Sequence, residues 1–287
     1  MANLKEIRSR ITSVGSTMQI TSAMKMVSAA KLKRAQDAIT KMRPYANKLT
    51  EMLEKLSANL DSSEAGVYTQ KKGKENLLII PITSNRGLCG GFNANIIKTT
   101  KKLIEDQNLN TKTSILSIGK KSSEHFTKNG FNVIETHDNL FAEITFANVS
   151  SVANTIMEKF VSGDFNNVIL VYNRFKNAAT QIIMTENFLP IQPKEKIINP
   201  SGDYIFEPKQ QQIVDQLIPK SLKTQLFKAV LDSHAGEHGA RMTAMHKATD
   251  NAGDLKNELT LTYNKARQAA ITAEILEIVG GAEALKG

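Results

Sequence analysis

The chain has 287 residues, 41% of them apolar, and a formal charge of +9; length and composition suit one large or two modest packed domains and exclude global disorder. A single cysteine, Cys89, excludes an internal disulfide framework and any CxxC metal or redox pair, so a reducing compartment is expected. No apolar run reaches the ~18 residues a membrane helix needs, and the opening MANLKEIRSR sets charges where a signal peptide carries its apolar core, so an intracellular protein with only indirect membrane contact is expected.

From Leu4, a 3-4-3-4 spacing runs through Ile7, Ile11, Val14, Met18, Thr21, Lys25, Ser28, Leu32, Ala35, Ile39, Met42, Ala46, Leu49, Leu53, Leu56 and Leu60. Fourteen of these seventeen positions are apolar, which predicts a long helix with one narrow stripe. Thr21, Lys25 and Ser28 are consecutive exceptions. Beside them Ile20, Met24 and Val27 form a competing stripe, so the seam is expected to rotate locally or to meet something other than its partner. Pro44 removes one helical hydrogen bond and is expected to kink the helix. Residues 1–48 hold ten basic and two acidic side chains. Such a surplus seeks an acidic partner: nucleic acid, anionic lipid or a carboxylate-rich protein surface.

A polar connection over 62–75 separates this helix from a different kind of sequence. NLLIIPIT, at 76–83, is a continuous apolar run before a Gly-rich turn, the mark of a strand buried on both faces. Helices are then predicted over 92–106, 120–129 and 148–162, alternating with strands over 114–118, 131–136 and 167–172, and a last strand over 181–187. That alternation predicts a mostly parallel, doubly wound Rossmann-like sheet. Pro190, Pro193, Pro200 and Pro208 mark the exit from it.

The helical pattern resumes at Lys209, is interrupted at Pro219 and continues to Leu285. Its stripe, Met245, Ala248, Ala252, Leu255, Leu259, Thr262, Ala266, Ala269, Ala273, Leu276 and Gly280, is made largely of small residues, which lets a partner helix approach closely. Only the two terminal segments match in length. The expected fold is α/β: a long antiparallel coiled coil of N- and C-terminal helices (1–61 and 209–287), a linker (62–75) and an inserted α/β domain (76–208). Each helix of such a pair has one neighbour. Leu261, Ile271, Ile275 and Ile278 lie off the seam, and an exposed apolar surface of this kind implies a surrounding protein sleeve.

Several stretches resemble the gamma subunit of the F-type ATP synthase, in the family's order and over essentially the whole chain. They are KEIRSRITSV, ITSAMKMVSAAKLKRAQ and the RPY around Pro44; TSNRGLCGGFN at 83–93; and ARMTAMHKATDNAGDL, YNKARQAAIT and the Ile271, Thr272, Glu274, Glu277, Ile278, Ala282 pattern. The resemblance implies a central rotor shaft and a non-catalytic subunit without a cofactor. It sits within three alpha and three beta subunits, beside epsilon, on a ring of c subunits, and couples proton or sodium flow to ATP synthesis or hydrolysis. By the same resemblance Met24 contacts the acidic lever segment of beta, and Arg267 and Gln268 contact a beta loop higher on the shaft. A lone Cys89 implies no thiol switch of the chloroplast kind. The expected place is the cytoplasmic face of a bacterial inner membrane.

Other readings compete with this one. NRGLCGG lies where a phosphate cradle would, but it matches neither GxGxxG nor GxxxxGK[ST], so a tight turn is expected. His234, Glu237 and His238 spell HxxEH, the pattern of inverted zinc peptidases. Zinc needs a third protein ligand, and Glu258 and Glu274 lie about 30 and 54 Å further along a straight helix. Gly236 and Gly239 suggest a loosened helix there. Nucleic-acid binding by Lys31, Lys33 and Arg34 lacks an interleaved aromatic side chain, none occurring before Tyr45. A static coiled-coil scaffold has the same periodicity as a rotor. If Ala269 lies in the seam, a tryptophan there is expected to wedge it or jam the sleeve.

Overall fold

The computed structural model describes residues 4–57, 67–69, 76–106, 112–191 and 210–284. The seam side chains of Leu53, Leu56 and Leu60, most of the 62–75 connection, Pro193, Pro200, Pro208, Lys209 and Leu285 lie outside the described part. The chain divides into two compact units, Met1–Ser28 with Met242–Gly287, and Ala29–Arg241. Two long helices contribute to both: α1 (Leu4–Ser57), which runs through Pro44, and α5 (Gln210–Ala284), which runs through Pro219.

The larger unit is built on five strands: β1 (Asn76–Pro81), β2 (Lys112–Ser117), β3 (Val133–Thr136), β4 (Asn167–Phe175) and β5 (Gln181–Leu189). Their order is β3-β2-β1-β4-β5, parallel throughout except for the β4–β5 hairpin. Helices α2 (Phe92–Glu105), α3 (Lys120–Lys128) and α4 (Phe146–Val161) connect the parallel strands, as the alternation predicts. Thr145 caps α4 by accepting from the N–H of Asn148 at 3.2 Å, so that helix starts slightly before its predicted boundary. The hairpin turn is tied by Asn177 Oδ1, which accepts from the N–H groups of Ala179 and Thr180 at 3.0 and 2.7 Å.

Successive residues of β1 face opposite sides, as a period of two requires. Leu77 and Ile79 pack with Ile96 of α2. Leu78 and Ile80 join the main core with Val149, Ile156 and Phe160 of α4. Leu222, Leu226 and Val230 of α5 enter that same core, so the C-terminal helix is part of the α/β layer. From Leu231 to Arg241 nearly every residue of α5 is buried. Gly236 and Gly239 do not loosen it. A Cβ at Gly236 would stand 3.4 Å from the Phe92 ring, and one at Gly239 would stand 3.1 Å from the Ala178 carbonyl oxygen, so the two glycines let α5 lie against the hairpin. Helix continuity is preserved because close packing replaces the missing side chains.

Candidate functional site

The smaller unit is an antiparallel helix pair whose register follows from two contacts. Thr21 Oγ1 and Thr249 Oγ1 are 2.8 Å apart, and Lys25 Nζ lies 3.4 Å from His246 Nδ1. On α1 the buried or half-buried positions are Leu4, Ile7, Ile11, Val14, Met18, Thr21, Lys25 and Ser28, the predicted spacing without interruption. The expected local rotation does not occur. Thr21 and Ser28 are 9% and 3% exposed, whereas Ile20 and Val27 are 60% and 58% exposed. The polar residues stay in the seam because their hydroxyls are satisfied there: Thr21 by Thr249, and Ser28 by donating to the Met24 carbonyl at 2.7 Å.

On α5 the seam keeps Met245, Ala248, Ala252, Leu259 and Ala266, but Lys256 and Tyr263 replace the predicted Leu255 and Thr262, which are exposed. A lysine stem and a tyrosyl ring cover more of a neighbouring helix than a threonine does. Gly253 admits Met18, whose Sδ would lie 4.0 Å from a Cβ at that position. Ala269, Ala273, Leu276 and Gly280 are fully outside the seam, so no wedge of the pair follows from enlarging Ala269. Counting from Thr21 back to Leu4, and equally far forward from Thr249, brings Leu4 level with Ala266. Everything from Arg267 to Ala284 is exposed, because the described part of α1 ends where that stretch begins. Ile271, Ile275, Leu276, Ile278 and Val279 are thus open apolar side chains on a single helix.

Met24 is half-buried on α1, and Arg267 and Gln268 are exposed on α5. The structure does not bring these three together. Met24 is next to the Lys25–His246 contact, and Arg267 lies roughly 30 Å further along α5 at about 1.5 Å per residue. The Gln268 carbonyl accepts from Thr272 Oγ1 at 2.9 Å, an ordinary helix contact that leaves its side chain outward. Sequence reasoning missed the hydroxyl pair at Thr21 and Thr249 and the His246–Asp250 contact at 3.3 Å. The unbroken 3-4 phase of Thr21, Lys25 and Ser28 was the signal for the first. Both acids of the basic terminal segment are taken by a neighbour one turn away, Glu6 by Arg10 at 2.8 Å and Asp37 by Lys33 at 3.0 Å. Exposed pairs of this kind hold less than about 1 kcal/mol each.

In the larger unit the Gly-rich turn is closed by protein. Arg241 donates to the carbonyl oxygens of Arg86 and Gly87 at 3.0 and 3.1 Å and pairs with Glu237. Ser84 fixes the turn from inside, donating to the Arg86 carbonyl at 2.6 Å, while its N–H donates to Asn93 Oδ1 at 2.9 Å. The turn therefore presents carbonyls to an arginine, the opposite polarity to a phosphate cradle. Ser233 and Asp232 of α5 reach the ends of the adjacent strands, at the Ile82 carbonyl and the Phe175 N–H. This is the switch point between β1 and β4 where doubly wound sheets usually take a ligand, and here α5 fills it.

The HxxEH residues are likewise internal. His234 and His238 meet Nε2 to Nε2 at 3.1 Å, with Phe141 stacked on His234. Glu237 is held by Arg241 instead of joining the histidines. Burial, reinforced by the Lys31 and Arg241 charges, lowers His234 to about 4; burial, with His234, Arg241 and Lys31 adding, lowers His238 to about 3. Both are neutral at pH 7. Among the described residues no group of three or more His, Cys, Asp or Glu could hold a metal ion, and no helix is long and apolar enough to cross a membrane. Burial also pushes the Cys89 thiol up, which makes it a poor nucleophile.

A family model described as ATP synthase matches residues 3–285. The ATP synthase gamma chains of Flavobacterium johnsoniae and Flavobacterium psychrophilum are each 60% identical over the whole of both chains, and that of Christiangramia forsetii is 54% identical over the same extent. Among solved structures, a chain of the Euglena gracilis mitochondrial ATP synthase OSCP/F1/c-ring assembly matches the fold with a TM-score of 0.70. It is 23% identical and aligns over 98% of this chain and 94% of its own. A chain of the Tetrahymena thermophila central stalk and c-ring aligns over 80% and 99% with a TM-score of 0.60 and 24% identity. Full-length identity at this level, on the fold just described, means that the chain belongs to the ATP synthase family, among its gamma chains.

Proposed function

We propose that this chain is the central-stalk rotor of an F-type ATP synthase and that Met24, Arg267 and Gln268 are its contacts with the surrounding stator. As a gamma chain it works within a head of alternating alpha and beta subunits, with epsilon and the c-subunit ring as its other partners. Catalysis belongs to the complex. The observation that carries the reading is the last stretch of α5, where Ile271, Ile275, Leu276, Ile278 and Val279 are all exposed on one unaccompanied helix. An apolar surface of that size on a helix calls for a collar of protein around it.

In this reading the coiled-coil segments 1–61 and 209–287 form the shaft, and the central domain 76–208 rests toward the c ring on the cytoplasmic face of a bacterial inner membrane. An asymmetric shaft inside a ring of equivalent sites makes those sites unequal, which shifts their conformational populations as it turns. Exposed ion pairs along the track contribute below about 1 kcal/mol each, so steric push, rather than any one pair, transmits torque. The test is reconstitution with alpha and beta subunits. A complex that hydrolyses ATP, with turnover lowered by Met24→Ala and by Arg267→Ala with Gln268→Ala, is the expected result. Failure to assemble an active complex would leave a static scaffold as the better description.

A further inference from the structure

Beside the carboxyl end of β4 lies a cavity of about 450 Å3 lined by Arg43, Asn47, Arg174, Lys176, Lys228 and Asp232. Four of these side chains carry positive charge and one carries negative charge. They converge from three directions: Arg43 and Asn47 on α1, Arg174 and Lys176 at and just beyond the end of β4, Lys228 and Asp232 one turn apart on α5. Open α/β sheets take ligands outside the carboxyl ends of their strands. The switch point itself is filled by α5, but this neighbouring cavity is not.

Part of the site is held in place before any ligand arrives. Arg43 donates to the Phe175 carbonyl at 2.9 Å and pairs with Asp232 Oδ1 at 3.2 Å, and the Phe175 N–H donates to that same oxygen at 3.3 Å. Among the described residues, no carboxylate forms an ion pair with Arg174, Lys176 or Lys228. The other oxygen of Asp232 is buried without a hydrogen-bond partner, in a residue that is wholly buried. A buried acceptor without a donor is costly. A cationic cavity with one unfilled acceptor suits an anion that brings its own proton.

We propose that this cavity binds a phosphate-class oxyanion, hydrogen phosphate or a protonated diphosphate, with the four cations compensating its charge and Asp232 Oδ2 accepting a hydrogen bond from its P–OH. Sulfate has comparable size and charge but no proton near neutrality, so it leaves the carboxylate oxygen unfilled and adds repulsion. The same chemistry is carried by phospholipid headgroups; the enclosed shape of the cavity favours the free anion. This assignment does not depend on the rotor reading.

Equilibrium dialysis of the full-length chain against labelled inorganic phosphate and diphosphate, with sulfate as competitor, tests it. One saturable site is expected, with phosphate preferred to sulfate by about tenfold or more, as for other sites that reject an analogue lacking the matching donor. Lys176→Ala with Lys228→Ala should weaken binding about tenfold, while Lys98→Ala with Lys128→Ala, the same charge change on α2 and α3, should alter it by less than about twofold. Asp232→Asn should bring the phosphate and sulfate affinities together. Should that variant fail to fold, the sulfate competition on the parent chain still decides. The proposal is overturned if no saturable phosphate binding occurs, if sulfate competes equally, or if the control pair weakens binding as much as the cavity pair. Binding to phosphatidylglycerol vesicles that depends on Lys176 and Lys228, without binding of free phosphate or diphosphate, would also overturn it.

Discussion

Arg241 satisfies two carbonyls of the turn after β1 and neutralises Glu237, and all of these groups are buried or nearly so. Removing it leaves a buried carboxylate alone, which costs about 3 kcal/mol or more. Arg241→Met should therefore lower the urea midpoint sharply, and adding Glu237→Gln should restore part of the loss. The histidine pair adds a pH dependence. His234 and His238 bind protons far less readily folded than unfolded, with values near 4 and 3 against an ordinary 6.5. Above pH 6.5 neither state is charged there. As pH falls from about 6.5 toward 4 the unfolded chain takes up protons that the folded chain refuses, so stability is lost over that window. The melting temperature should drop as the pH is lowered through it, and the drop should be smaller in a His234→Gln, His238→Gln variant.

At the scale of the element, the seam is decided by phase and by satisfied polar groups more than by hydrophobicity. Ile20 and Val27 are more apolar than Thr21 and Ser28, yet they lie outside, because moving them in would rotate α1 away from Ile7, Val14 and Leu32. Ser28→Leu should destabilise the chain by about 1–3 kcal/mol through overpacking. Val27→Lys should leave the stability of the isolated chain within about 0.5 kcal/mol. Denaturant titration of both variants checks the phase, and a Val27→Lys cost as large as that of Ser28→Leu would contradict it. The 3-4 phase of α1 was legible residue by residue. On α5 it was less so, because Ala, Thr and Gly carry little apolar contrast, and only the observed burial of Lys256 and Tyr263 separates them from Leu255 and Thr262.

At the scale of the whole molecule, the end of α5 sets stability and assembly apart. Ile271, Ile275 and Ile278 are exposed in the isolated chain, so replacing all three with Asp should change its melting very little. In the reconstituted complex the same replacement puts three charges against an apolar collar, which lowers assembly or turnover at least about tenfold if the contact is buried there. Unchanged ATPase activity and coupling in that variant would remove the collar from the picture. Arg267→Ala with Gln268→Ala should have a smaller effect, because rim contacts are screened by solvent.

Local patterns by themselves determined the strand and helix alternation, the two long terminal helices and the ladder of buried positions on α1, because each follows from a short-range period of two or of about 3.6. The motif residues around Thr83–Asn93 and Ile271–Ala282 carried the family. Only the tertiary structure decided what those motifs touch. NRGLCGG could be read as a cradle until Arg241, more than a hundred residues away in sequence, was seen to fill it. His234, Glu237 and His238 could be read as a metal motif until Glu237 was seen to pair with Arg241 and the histidines with each other. The cavity around Asp232 draws on α1, β4 and α5, and no single stretch contains enough of it to be recognised. The reason is physical. Periodicity records which face of an element is buried, but partnerships between buried polar groups arise where distant elements meet, and those leave no period to read.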